Sequence, residues 1–534
     1  MMRSTLIAGL AALMLAACTT GATTGGGDAA GPDRVHVAQG TLEGLGRQSS
    51  GVREFRGVPF AAPPVGALRW KEPQPAASWT GVREAKQFSA RCMQASVFAD
   101  MVFRSNGNAE DCLYLNVWTP AHSANEHLPV LVYYYGGGFI AGAGDELRYD
   151  GESMAEHGVV VVTVNYRMGA FGFMAHPELT AESPHHASGN YGLLDQVAAL
   201  QWVHDNVAAF GGDPARVTVA GESAGSFSSS AMMASPLSRN LVAGAIGESG
   251  AIYELNASLA DGERNGVAFA QTLHASNIAA MRALSADQIL AGSMAQGAPP
   301  TTWPVVDGYL FPKAPGAIFE AGEQAHVPLL VGSNSAESDA NGVLQGAAPT
   351  VANYRAALRR DYGANADTVF AGYPAASDGD AVLDAAQTLS SDRWIAFGTW
   401  QWIDASTRSG GKPSYYYYFT HPRPAFAPGQ HNPYGDGPPP RGATHSSEIE
   451  YAMGNLHTNV LYAWNADDDH VSQTMEAYFA NFIKTGNPNG AGLPDWPTFA
   501  SGQRMVIDVQ SHAVANRWTP GYRALLAVHQ PPVE

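Results

Sequence analysis

Three residues of this 534-residue chain combine reactive side chains with surroundings that would expose them: a serine, a glutamate and a histidine. Ser223 lies in Gly221-Glu222-Ser223-Ala224-Gly225, directly after the β-rich run Val217-Thr218-Val219-Ala220 and ahead of a helix-forming stretch, residues 226–233. A strand that turns at once into a helix holds the central hydroxyl out on a strained turn, and glycines on either side leave room where the two elements approach. A hydroxyl is a weak nucleophile at neutral pH. It needs a base within hydrogen-bond reach, a carboxylate to orient that base, and donors for the oxyanion that forms.

The donors are expected from Tyr135-Gly136-Gly137-Gly138-Phe139, which ends a strong apolar run. Consecutive glycines let bare N–H groups converge, so Gly137 and Gly138, joined by Ala224 after the serine, are the candidate oxyanion hole. A phosphate cradle would want a following Lys and Ser or Thr, and Phe139-Ile140 supplies neither. The acid is expected in Val331-Gly332-Ser333-Asn334-Ser335-Ala336-Glu337, where Glu337 follows a buried-strand pattern; Asp339 is two residues on and competes. Of 17 histidines, His445 in Gly442-Ala443-Thr444-His445 lies downstream of the acid and ahead of a helix-like run. His421, His431 and His457 are local rivals that spacing does not exclude. Serine, acid, histidine is the chain order of an α/β-hydrolase sheet. This chemistry needs no metal and no organic cofactor.

The elements that must position these residues read as one α/β body. Residues 128–135, 159–164, 217–220 and 327–331 are near-continuous apolar runs, as expected of strands buried on both faces of a mostly parallel sheet. Residues 191–208 carry apolar side chains at three and four residue spacings and stop at Gly211-Gly212-Asp213-Pro214. A further strand is expected at 415–419 and a late helix at 475–483. No linker-like composition divides residues 35–534, which are expected to form a single domain with loop and helical insertions. The Pro-rich stretch 421–444 is long for a compact domain and leads into His445, so it is expected at the rim of the site.

With 45% hydrophobic residues the chain can build a large core, and a formal charge of −18 argues against nucleic acid or an anionic membrane surface as partner. The N-terminus reads as an export signal over residues 1–17: Arg3 supplies positive charge, and residues 6–15 an apolar core too short to span a bilayer. It ends in Leu15-Ala16-Ala17-Cys18, which resembles a bacterial lipobox and marks Cys18 for lipidation. Residues 18–34, rich in Gly, Thr and Ala, are expected to be a tether. The expected location is the bacterial cell envelope, with a lipid anchor as the only membrane attachment, or outside the cell if Cys18 is unmodified. Cys92 and Cys112 are then an even pair in an exported protein, which favours a disulfide.

Two long patterns identify a resemblance. Phe210-Gly211-Gly212 through Ser223-Ala224-Gly225, and Glu110-Asp111-Cys112-Leu113-Tyr114-Leu115-Asn116-Val117-Trp118-Thr119-Pro120, are similar to the two signatures of the type-B carboxylesterase family. Gly189-Asn190-Tyr191-Gly192 and Thr485-Gly486-Asn487-Pro488-Asn489 extend the match over nearly all of the exported chain. The resemblance implies an α/β-hydrolase fold and hydrolysis of small-molecule esters through an acyl-enzyme. It selects Glu337 over Asp339 and His445 over its rivals, implies that Glu222 lines the gorge and that Ser249 is a hydroxyl near the triad, and maps the family's first disulfide onto Cys92 and Cys112. The chain departs from the family with Ser335-Ala336-Glu337-Ser338, where Asp-Glu-Gly is usual, and lacks a tryptophan between Cys92 and Cys112, which argues against choline esters. The same triad would serve carbamate, amide or lactone cleavage. Relatives without the triad act as binding modules, and here all three positions are filled.

Overall fold

The structure, a computed structural model, describes residues 33–435, 440–515 and 519–529. The expected leader and Cys18 lie outside the described residues. The tether expected over 18–34 yields at its end to a strand, Arg34–Val37.

Ten strands among the described residues form one sheet. In chain order they are β1 (Arg53–Pro59), β2 (Tyr114–Thr119), β3 (Leu128–Tyr134), β4 (Val160–Val164), β5 (Gly212–Glu222), β6 (Gly244–Glu248), β7 (Leu329–Asn334), β8 (Ser414–Phe419), β9 (Gln503–Ile507) and β10 (His512–Ala515). Across the sheet they lie in the order β1-β2-β4-β3-β5-β6-β7-β8-β9-β10. From β4 to β9 every neighbouring pair is parallel, and antiparallel pairs close both ends. The run Val160–Val164 is buried at every position, as are Gly244–Glu248 and Leu329–Asn334, because the layers on both faces leave no side to water. The strand expected at 217–220 starts earlier: a break in register between Gly212 and Val217 carries Pro214 through without its needing to donate to the ladder.

The helix expected at 191–208 is α1 (Tyr191–Asn206), continued by a tighter turn to Phe210 and ended by Gly211 at φ 83°. Helix α2 (Ala224–Ala234) follows the serine. It is buried yet carries Ser228, Ser229 and Ser230, whose hydroxyls donate to the carbonyls four residues back, so no polar group is left unpaired. Later come α3 (Asp380–Ser391), α4 (Phe397–Arg408) and α5 (Ala466–Thr485), the last of them longer than the 475–483 expected. A π-helical turn, Asp392–Ala396, joins α3 directly to α4. Helix α3 and Phe397 at the start of α4 share with Tyr354, Leu358 and Leu525 a second apolar cluster, while Trp402 and Ile403 of α4 and the buried face of α5 join the main core. The described parts of the Pro-rich stretch are irregular and bridge through Phe426 to Tyr462.

Cys92 and Cys112 are buried and form a disulfide with Cα atoms 5.0 Å apart. Closing a loop of this length stabilises a fold by about 3 kcal/mol. The double variant Cys92→Ala/Cys112→Ala is therefore expected to lose roughly 2–4 kcal/mol in urea denaturation, with an m-value equal to or somewhat above wild type. Equal midpoints for the two proteins would refute that contribution.

Candidate active site

The expected site residues gather beyond the carboxyl ends of β3, β5, β6, β7 and β8, where an open parallel sheet presents its loops. Ser223 follows β5 with φ 53° and ψ −121°, half-buried. Its N–H donates to Glu248 O at 2.8 Å, and its carbonyl accepts from Phe227 N at 2.9 Å, which locks the turn. The flanking glycines are steric requirements: a Cβ on Gly225 would stand 1.9 Å from Tyr134 O, and one on Gly221 2.3 Å from the same atom. Of nine non-glycine residues with left-handed backbone among the described residues, four lie here: Phe139, Ser223, Ser249 and Ser446. Strain concentrates where side chains must be held in one place.

The glycine loop runs beside the serine. A Cβ on Gly136 would lie 3.1 Å from Ser223 Cβ, and Gly137 and Gly138 take φ of 105° and 62°. The Gly137 carbonyl accepts from Ile140 and Ala141, folding the loop back on itself. No protein acceptor among the described residues takes the N–H of Gly137, Gly138 or Ala224, which leaves three donors for an incoming oxygen.

His445 and Glu337 meet. Nδ1 donates to Glu337 Oε2 at 2.6 Å, and Glu337 Oε1 accepts from Ser249 Oγ at 2.5 Å and Asn334 N at 2.6 Å. The rivals are otherwise engaged. Asp339 is exposed and accepts from Asn341 N in a local turn. His421 sits between Asp468 and Asp508, His457 is exposed near Asp469, and His431 is exposed. Ser338, where glycine is usual, needs no left-handed backbone: its hydroxyl and backbone bond to Ser390 and Ser391 of α3.

The structure does not join the Ser223 hydroxyl to the imidazole. The Nε2 edge lies instead 3.2 Å from Oε1 of Glu222, which is buried and also accepts from Ser446 Oγ at 2.8 Å. Burial alone would push the imidazole pKa down; the charge of Glu222, then the hydrogen bond and charge of Glu337, lift it instead to about 9. Burial raises the Glu222 carboxyl, against the pull of His445 and Ser446.

Two buried carboxyl groups lay beyond sequence reasoning. Glu448 is fully buried; its carboxylate meets Ser249 Oγ at 3.1 Å and accepts from the Asn334 amide. Burial, with the charges of Glu222 and Glu337, raises it to about 8. Glu248 accepts from Tyr133 OH at 3.0 Å, and burial together with Glu448 and Glu222 pushes it well above its ordinary range. The only signal was position: Glu448 stands three residues after His445, and Glu248 just before Ser249. Nothing local says that both point inward. The Trp394 ring, with its centroid 4.7 Å from that of His445, was equally unannounced.

Comparison with known proteins agrees along almost the whole chain. The profile described as Carboxylesterase family matches residues 32–521. The fumonisin B1 esterase of Sphingopyxis macrogoltabida is 36% identical over 482 residues, which cover 87% of this chain and 84% of that protein. The cocaine esterase of Homo sapiens is 34% identical over 509 residues, covering 89% and 87%. Among solved structures, the carboxylesterase EST55 of Geobacillus stearothermophilus at pH 6.2 superposes with a TM-score of 0.79 at 28% identity, over 92% of this chain and 99% of that one.

The pair of carboxylates flanking His445 makes a testable electrostatic statement. Removing the Glu222 charge destabilises the imidazolium and leaves neutral imidazole unaffected, so the pKa must fall. In Glu222→Gln, His445 followed by nitrogen-15 NMR is expected to titrate roughly one pH unit or more below wild type. An unchanged titration would mean that Glu222 does not bear on the imidazole.

Proposed function

The chain belongs to the carboxylesterase family and hydrolyses carboxylic esters, and on that premise we propose that Ser223 is its nucleophile, His445 its general base and acid, and Glu337 the carboxylate that orients the imidazole. The observation that carries the assignment is the 2.6 Å bond from His445 Nδ1 to Glu337 Oε2. It holds the ring so that Nε2, once it has given up the proton that Glu222 and Glu337 favour there, can take one from the serine. Ser223 Oγ then attacks the ester carbonyl as its proton passes to Nε2. The carbonyl oxygen becomes an anion on the N–H groups of Gly137, Gly138 and Ala224. Collapse expels the alcohol with the proton from His445, leaving an acyl group on Ser223. Water, deprotonated by the same Nε2, releases the acid.

Because Nε2 faces Glu222 in the resting enzyme, transfer begins when this edge of the ring turns to the serine; catalytic hydrogen bonds often tighten only around substrate. Ser249 fixes the Glu337 carboxylate in place by donating to Oε1. Two relatives named for quite different esters, fumonisin B1 and cocaine, support a small-molecule substrate for this chain.

Mutation separates the roles. Ser223→Ala should abolish hydrolysis of p-nitrophenyl esters without unfolding the protein. Glu337→Gln should lower kcat by about 10⁴-fold, while Asp339→Asn stays close to wild type. A mild Glu337→Gln beside a severe Asp339→Asn would transfer the acid role to Asp339.

The same reading extends to location: Leu15-Ala16-Ala17-Cys18 and the Gly-rich segment after it support a lipid on Cys18 that tethers the enzyme to the cell envelope. Cys18→Ala is expected to move the protein from the membrane to the soluble fraction. Mass spectrometry that finds an unmodified mature N-terminus would refute the anchor.

A further inference from the structure

Trp394 is 53% exposed, and its one ring partner among the described residues is His445, edge-on at 62°. The other strongly exposed tryptophan, Trp303, is wedged between two rings, Phe139 at 5.3 Å and Phe227 at 5.4 Å. Trp394 is therefore not part of an apolar cluster. It is an indole that meets the imidazole edge-on and leaves about half of its surface to solvent.

Its position is built in. It sits in the π-helical turn Asp392–Ala396, which adds one residue to an otherwise continuous α3–α4 run and so rotates α4 by about 100° relative to an unbroken α-helix. The two residues before it are tied down. Asp392 accepts from Tyr373 OH at 2.9 Å, and Arg393 donates to Asp361 at 2.8 Å and to the Gly342 carbonyl. A ring meant only to pack would gain more by being buried.

We propose that Trp394 is the wall that receives the leaving alcohol, and that it gives the enzyme a preference for esters of flat or apolar alcohols such as benzyl and aryl alcohols. The inference rests on the ester-hydrolase reading and on the role of His445. In that chemistry Nε2 hands its proton to the alcohol oxygen at hydrogen-bond distance, so the first carbons of the alcohol lie next to the imidazole and within reach of the indole beside it. The carbonyl oxygen is drawn the other way, to Gly137, Gly138 and Ala224. Once the alcohol has left, Trp394 has no partner, so it acts on acylation and not on deacylation.

The test compares wild type, Trp394→Ala and Trp394→Phe on the acetate esters of methanol, benzyl alcohol and 1-naphthol. It reads kcat/KM for each ester and, by single turnover, the hydrolysis rate of the shared acetyl-enzyme. Trp394→Ala is expected to lower kcat/KM for the two aromatic esters roughly three- to tenfold more than for methyl acetate, with deacylation unchanged and Trp394→Phe close to wild type. An equal loss for all three esters would overturn the proposal and make Trp394 a positioning residue for His445. Slower hydrolysis of the shared acetyl-enzyme in Trp394→Ala would put the ring on the acyl side and overturn it as well. If wild type hydrolysed none of the esters, the underlying reading would fall first, which is a different result from either.

Discussion

The carboxyl edge of the sheet is organised around one charge problem: several carboxyl groups are buried around a single imidazole, and only some can be anions at once. The hydrogen bonds decide which. Glu337 receives an N–H, a hydroxyl and the imidazole, a full set of partners for a carboxylate beside His445. Ser249 has one proton to give and stands nearer Glu337, at 2.5 Å, than Glu448, at 3.1 Å. Glu448 takes the weaker share of Ser249 and the Asn334 amide, and burial beside Glu222 and Glu337 raises its pKa. The hydrogen-bonded chain of Glu448, Ser249, Glu337 and His445 runs from the core to the reacting edge, with Glu337 at one side of the imidazole and Glu222 at the other.

That arrangement demands that three strand ends and two loops come within a few ångströms, which is where the small and strained residues enter. Ser223, Ser249 and Ser446 take left-handed backbone to aim at a common centre, and Gly221, Gly225 and Gly136 give up side chains so that β3, β5 and α2 can close on it. The serines of α2 serve the same end: short side chains that bond to their own helix allow a buried contact with the sheet that larger apolar residues would hold open.

These two requirements explain which parts of the molecule were legible in the sequence. The elbow around Ser223 and the glycine loop are local patterns, because tight turns leave glycine at fixed offsets, and both stand where they were expected. The parallel strands were legible as apolar runs. Glu337 and His445 carried only weak local signals, and the family resemblance had to separate them from Asp339 and His421; the structure does so through burial and partners that no window of sequence contains. Glu222 was anticipated as a gorge residue, but its approach to Nε2 was not, since it depends on the orientation of a loop more than 200 residues away. Glu448 and Glu248 look like ordinary surface glutamates until the sheet closes over them.

Trp394 was hidden for a different reason. Helices α3 and α4 are joined by a π turn, and helical periodicity assumes a constant turn per residue; one extra residue there rotates the side chain off the face that periodicity assigns. The imidazole is consequently approached from two sides. Its carboxylate partner, Glu337, follows β7 of the main sheet, while its aromatic neighbour stands in the turn between α3, packed around Tyr354 and Leu389, and α4, which reaches the main core through Trp402 and Ile403. Such a division lets the helical side vary its surface toward the substrate while the bond that orients the base stays anchored in the sheet. An exposed indole on the more peripheral side, beside a buried carboxylate on the central one, is the arrangement expected of an enzyme in which chemistry and specificity are under separate control.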